Sequence, residues 1–85
     1  MQVNIFSIMS CNASTDFIEW CSQQPHIAYF SWRIYDPQHP TQFYHYTLED
    51  LERIYDRRFY RFPIIYINGE YYSSIQDAKE RINEH

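Results

Sequence analysis

The chain contains one glycine, and the setting of that glycine limits the fold more than any other residue does. Gly69 follows Asn68, and the pair stands between Pro63-Ile64-Ile65-Tyr66-Ile67 and Glu70-Tyr71-Tyr72. Asn-Gly between runs of β-forming residues is a strong hairpin signal, because both central residues of a type I′ turn need positive φ. A hairpin with strands over 63–67 and 70–72 is therefore predicted, and the remaining elements must pack around it.

Upstream, Val3, Ile5, Phe6 and Ile8 mark a strand over 3–8. A helix over 14–24 follows, with Ser14 or Asn12 as its cap and Phe17, Trp20, Cys21 and Gln24 on one face, and Pro25 stops it. The β-formers between His26 and Tyr35 predict a second strand, shorter than the whole run. Residues 36–46, with Pro37 and Pro40, read as a loop. Thr47 with Asp50 forms a weakened capping box for a helix over 47–59, whose apolar face is Leu48, Leu51, Ile54, Tyr55 and Arg58. Ser73 or Ser74 caps a last helix that buries Ile75, Ala78, Ile82 and the stem of Lys79. The order βαβαββα predicts an α/β fold, with a four-stranded mixed sheet flanked by three helices in a single domain over 1–85.

Composition narrows the partners. Acidic residues outnumber basic ones by 11 to 7, and the net charge of −4 gives no general attraction to nucleic acid or anionic lipid. No apolar run approaches the ~20 residues of a membrane span, and the N-terminus lacks the pattern of a signal peptide, so a cytoplasmic location is expected. Two cysteines ten positions apart on one helix would lie about 15 Å from each other, which makes them free thiols in a reducing compartment. Nine Tyr and six Phe against two Leu mean that rings supply much of the core volume. Some of Tyr44, Tyr46, Tyr60, Tyr71 and Tyr72 must then reach the surface, where tyrosine suits a protein interface.

Cys11 is the first candidate for chemistry. It stands in the turn between the first strand and the first helix, at the carboxyl end of a strand, where ligands gather in open α/β sheets. A helix N-terminus carries roughly half a positive charge and lowers cysteine pKa values from about 8.5 towards the 3.5 to 7.5 range.

The chain resembles the glutaredoxin branch of the thioredoxin fold over nearly its whole length. The resemblance rests on a strand ending at Cys11, the element order, the Phe62-Pro63 step before a β run, the hairpin Tyr66-Ile67-Asn68-Gly69-Glu70-Tyr71, and the closing helix after Ser73-Ser74. It implies a thiol-disulfide oxidoreductase that uses glutathione as co-substrate, with a cis peptide at Phe62-Pro63 facing the thiol. It further implies that the backbone of Phe62 pairs with glutathione or a substrate peptide. Amides near Ser74 and Ile75, with the side chain of Gln76 or Asp77, would hold a glutathione carboxylate, and Arg61 adds a cation close by. The family's Cys-X-X-Cys stands here as Cys11-Asn12-Ala13-Ser14, which implies a monothiol route through Cys11 with Ser14 as a hydroxyl neighbour. Monothiol relatives that bind iron-sulfur clusters carry Gly and Phe inside this motif, and Asn12-Ala13 departs from them. The usual Gly-Gly before the last helix is Ser73-Ser74, and the usual lysine before the cysteine is replaced by Ser7, Ile8 or Met9. The substrates implied are glutathione mixed disulfides or protein disulfides; a degenerate binding module that holds a protein partner on its Tyr-rich surface is the alternative.

The other candidates have structural readings. Cys21 shares a helix face with Phe17 and reads as a buried hydrophobe. His26, His39, His45 and His85 have no spacing typical of a metal site, so no metal is expected. Arg57 and Arg58 complement a helix C-terminus, while Arg61 is open to either role.

Overall fold

A computed structural model describes residues 1–84. The strands are β1 (Gln2–Ser7), β2 (Ala28–Arg33), β3 (Ile64–Ile67) and β4 (Glu70–Tyr72), and the helices are α1 (Asn12–Ser22), α2 (Leu48–Tyr55) and α3 (Ile75–Ile82). The strands form one mixed sheet in the order β2-β1-β3-β4. β1 runs parallel to β2 and antiparallel to β3, and β3 runs antiparallel to β4. The result is an α/β domain with a four-stranded mixed sheet and three helices.

Alternation along the central strands explains why both sheet faces are covered. Val3, Ile5, Ile65 and Ile67 point to one side, where they pack with Phe17 and Cys21 of α1 and Ala78 and Ile82 of α3. Phe6, Ile64 and Tyr66 point to the other side and meet Leu51 of α2, Phe59 and Ile34. All four residues of β3 are buried, as expected of a strand covered on both faces. Rings fill much of the second layer: Tyr55 stacks on Tyr66 at 4.0 Å between centroids, and Phe59 meets Tyr71 at 5.5 Å.

The hairpin closes through Asn68 and Gly69 with φ of 51° and 84°, as a type I′ turn requires. Asn68 also ties the turn to β1, accepting from the Gln2 amide at 3.0 Å through Oδ1. The capping box of α2 is complete: Thr47 Oγ1 accepts from the Asp50 amide at 3.1 Å, and the Asp50 carboxylate accepts from the Thr47 amide at 3.3 Å. Ser74, not Ser73, caps α3 and accepts from the Asp77 amide at 3.0 Å.

Several boundaries differ from the sequence reading: β1 is shifted by one residue to Gln2–Ser7, and α1 ends two residues early, at Ser22. α1 starts at Asn12, two residues earlier than expected, with Cys11 itself as N-cap and no side-chain cap. The Cys11 amide donates to the Ile8 carbonyl at 3.3 Å, and this tight turn lets the helix begin at once. β2 is confined to Ala28–Arg33, after which Ile34 bridges Tyr46 and the loop turns away. α2 ends at Tyr55 instead of 59, because Asp56 adopts the left-handed conformation (φ 52°, ψ 49°). That turn frees Phe59 to enter the core, its amide donating to the Glu52 carboxylate at 2.9 Å. It also leaves Ile54 on the outer side of α2, 60% exposed, so Ile54 is not part of the buried face.

Candidate functional site

Strand direction gathers distant residues at one end of the sheet. β1 and β2 both finish there, β3 starts there because it is antiparallel to β1, and β4 finishes there because it is antiparallel to β3. The register places Phe6 opposite Ile64, and Ile65 opposite Tyr72. So the turn with Cys11, the Phe62-Pro63 step, Ser73-Ser74 and the end of β2 meet on one edge.

Cys11 is half-buried and free. Its Sγ donates to the Phe62 carbonyl at 3.6 Å across 51 positions of sequence. As the N-cap residue, Cys11 stands beside the unpaired amides of the first turn of α1. The Phe62-Pro63 peptide is cis. Arg61, Phe62, Pro63, Ser73, Ser74 and Ile75 line a hollow of about 270 Å³ next to this contact, at the small end of the range for ligand pockets. Arg61, Phe62, Pro63, Ser74 and Ile75 were thus brought together from two distant segments. Gln76 and Asp77 do not line this hollow: the Gln76 amide donates to Glu80 at 3.4 Å, and Asp77 is exposed in the first turn of α3.

Ser14 faces inward. It is 1% exposed, and its Oγ has no hydrogen-bond partner among the described residues, so no hydrogen bond joins it to Cys11. Cys21 is fully buried among Val3, Ile5 and Phe17, and desolvation pushes its pKa from 9.0 to about 11 in spite of an opposing pull from Lys79. Lys79 sits with its Nζ 5.2 Å from the Trp20 ring, its stem covering the helix α1 face.

Two contributors were not singled out from the sequence. Asp36, at the end of the β2 segment, is buried, and its carboxylate accepts from the Ser10 amide at 3.3 Å and the Gln38 amide at 2.9 Å. The Gln38 bond, then those from Ser10, hold the Asp36 carboxyl below its usual pKa. The bond to Ser10 braces the residue immediately before Cys11. An Asp followed by Pro at a loop start is the signal that could have marked it as a turn former. Arg33 is the second: it lines a hollow of about 410 Å³ with Ser7, Ile8, Met9, Thr15, Ile18 and Ser31. It brings a cation to the segment where the resemblance implied a lysine.

Arg57, Arg58 and Arg61 are all exposed. Arg57 lies over the Tyr71 ring, 3.9 Å from its centroid, a contact that helix-dipole reasoning did not anticipate. Tyr44 and Tyr60 are exposed, Tyr60 by 87%, whereas Tyr46, Tyr71 and Tyr72 are half-buried. No group of three His, Cys, Asp or Glu side chains among the described residues could hold a metal ion, and His85 lies outside those residues. No helix among the described residues is long and apolar enough to cross a membrane. No family model matches the chain, and neither a curated protein nor a solved structure matches it.

Proposed function

We propose that this chain is a glutaredoxin-like thiol-disulfide oxidoreductase with a thioredoxin-like fold, acting on glutathione mixed disulfides or protein disulfides by a monothiol route through Cys11. The observation that carries the reading is the meeting of a half-exposed thiol at the start of α1 with the Phe62 carbonyl, 3.6 Å away, beside a hollow lined by Arg61, Pro63 and Ser74. In the first step the Cys11 thiolate attacks the glutathionyl sulfur of a mixed disulfide. The S–S bond breaks, Cys11 becomes glutathionylated, and the substrate thiolate leaves to take a proton from water. A second glutathione thiolate then attacks the glutathionyl sulfur on Cys11, forming oxidised glutathione and regenerating the Cys11 thiolate. In sum one glutathione thiol is consumed and one substrate thiol is released, and the glutathione of the mixed disulfide leaves joined to the incoming one as oxidised glutathione.

In this reading, Phe62 and Pro63 present backbone to the cysteinyl part of glutathione, while Ser74 and Ile75, at the start of α3, and Arg61 receive its carboxylates. Asp36 is a positioning residue that braces the loop through the Ser10 amide. The test is mass spectrometry after incubation with oxidised glutathione, followed by turnover of a glutathione mixed disulfide. An adduct of one glutathione on Cys11, none on Cys21, and turnover abolished by Cys11→Ser are expected. An unmodified Cys11, or a Cys11→Ser variant that still turns over, overturns the reading. The exposed rings of Phe43 (75%), Tyr44 (43%) and Tyr60 favour, as a second reading, a binding module that captures a protein partner without turnover. Partner capture that survives Cys11→Ser and is lost on substituting Tyr44 and Tyr60 would select it.

A further inference from the structure

Three of the seven cations of this acidic chain fall within five positions, as Arg57, Arg58 and Arg61. The left-handed turn at Asp56 makes this possible, because it ends α2 and leaves 57–61 non-helical, with Phe59 turned into the core and Arg57, Arg58, Tyr60 and Arg61 exposed. The ion pairs among the described residues engage Arg53 and Arg81, and none neutralises this cluster. All three arginines line one hollow of about 300 Å³ together with Tyr60, Tyr71 and the Ser73-Ser74 pair. No carboxylate lines that hollow among the described residues. Glu49, Glu52 and Asp56 line a separate hollow that Arg57 and Arg58 also border, and Glu52 is already engaged by the Phe59 amide. Stacking on Tyr71 fixes Arg57 as one wall, while Tyr60 offers an exposed apolar ring beside the charge.

Arg61, Ser73 and Ser74 also line the hollow beside Phe62, so the basic groove runs into the Cys11 contact. We infer that this groove docks protein substrates and selects disulfide-bearing proteins that carry Asp or Glu within about four positions of the reacting cysteine. The span follows from chain geometry: Arg58 is four residues from Phe62, so at 3.3 to 3.6 Å per residue it lies at most about 14 Å along the chain, the reach of roughly four extended substrate residues. An arginine fork binds a carboxylate through paired N–H bonds, and the field of an unneutralised cluster speeds the encounter with an acidic segment. The inference rests on the exchange reading of Cys11.

Its test compares exchange of the full chain with three peptide-glutathione mixed disulfides that differ only in carrying Glu, Gln or Lys near the cysteine. The Glu peptide reacts about tenfold faster than the Gln peptide at low ionic strength, since two or three exposed pairs each contribute a severalfold effect. That ratio falls severalfold in Arg58→Gln, which removes one of the pairs, and collapses towards one at about 1 M salt, where the screening length is about 3 Å. Equal rates for the Glu and Gln peptides overturn the groove while leaving exchange at Cys11 standing. Exchange with none of the peptides overturns the exchange reading instead, and anisotropy of labelled peptides on Cys11→Ser then decides the groove. Glu-peptide binding weakened severalfold by Arg58→Gln sustains it, and equal binding of the Glu and Gln peptides overturns it.

Discussion

Cys21 offers a stringent check on the packing of α1 against the sheet. Its thiol has no exposure, and it is held protonated by burial, with its pKa raised from 9.0 to about 11. The folded value lies above the unfolded one, so the stabilising contribution is full below pH 9 and is lost as pH rises towards 11. At 1.36 kcal/mol per pH unit the whole effect is about 3 kcal/mol, of which about 2 kcal/mol has gone by pH 10.5. Tyrosines 55 and 66 also have raised pKa values from burial, so the alkaline slope of the wild type alone mixes several groups. Cys21→Ala removes only the thiol titration. Urea unfolding of both proteins from pH 8 to 10.5 should therefore show the penalty of Cys21→Ala shrinking by about 2 kcal/mol as the wild type loses its own stabilisation. Thiol titration at pH 8 gives the companion result: one thiol, Cys11, reacts in native protein and two react in denaturant. A penalty that stays flat with pH, or a native Cys21 that reacts as fast as Cys11, would refute the buried placement and with it the packing of α1.

Thr47→Ala removes the side-chain arm of the capping box, the acceptor of the Asp50 amide, and should cost about 1 kcal/mol in urea unfolding, with a fall in Tm of roughly 4 to 8 °C. Gly69→Ala meets no atom within 4 Å, yet φ of +84° strains any side chain there, so a loss of about 1 kcal/mol in the same assay is expected from backbone conformation alone. Asp36→Asn should slow glutathionylation of Cys11, as the Ser10 brace weakens, while circular dichroism stays native. Because the Asp36 carboxyl is held below 3.8, its contribution is present above that pH and is lost as pH falls through the lower folded value. The stability gap between wild type and Asp36→Asn should accordingly close in acid, and a gap that widens there would contradict the assignment.

Legibility in the sequence followed the range of the interactions. Asn68-Gly69, Thr47-Asp50 and Ser74 act within four residues, so the hairpin and the α2 cap could be read directly and the α3 cap could be narrowed to Ser73 or Ser74. The inward faces of α1 and α3 were legible for the same reason, since Phe17, Cys21, Ala78 and Ile82 follow helical spacing. Two of the misreadings have different causes, a local turn that ends a helix early and a partner far away in sequence. Ile54 fits the period of α2 yet is exposed, whereas Phe59, which returns after the turn at Asp56, is buried in the core. Asp36 looked like an ordinary loop residue, because Ser10, which its carboxylate braces, is 26 positions away.

The same distinction bears on the site. Cys11 could be found from the sequence because strand, thiol and helix are contiguous, but its exposure and orientation are set by Phe62, which only the antiparallel register of β1 and β3 brings within 3.6 Å. Shifting β3 by one residue would turn Ile64 and Tyr66 to the α1 face and move the Phe62 carbonyl along β1. The four buried side chains of β3 are therefore part of the site's geometry, although none of them is near the sulfur in sequence. Truncating Ile65, which packs on the α1 side, should cost about 2 to 5 kcal/mol by leaving a cavity. If register is what aims the thiol, a milder Ile65→Val change, costing about 1 kcal/mol, should leave the glutathionylation rate of Cys11 unaltered in the folded fraction. A rate that falls with Ile65→Val while the fold is retained would mean that fine packing beneath β3, and not register alone, sets the position of Cys11.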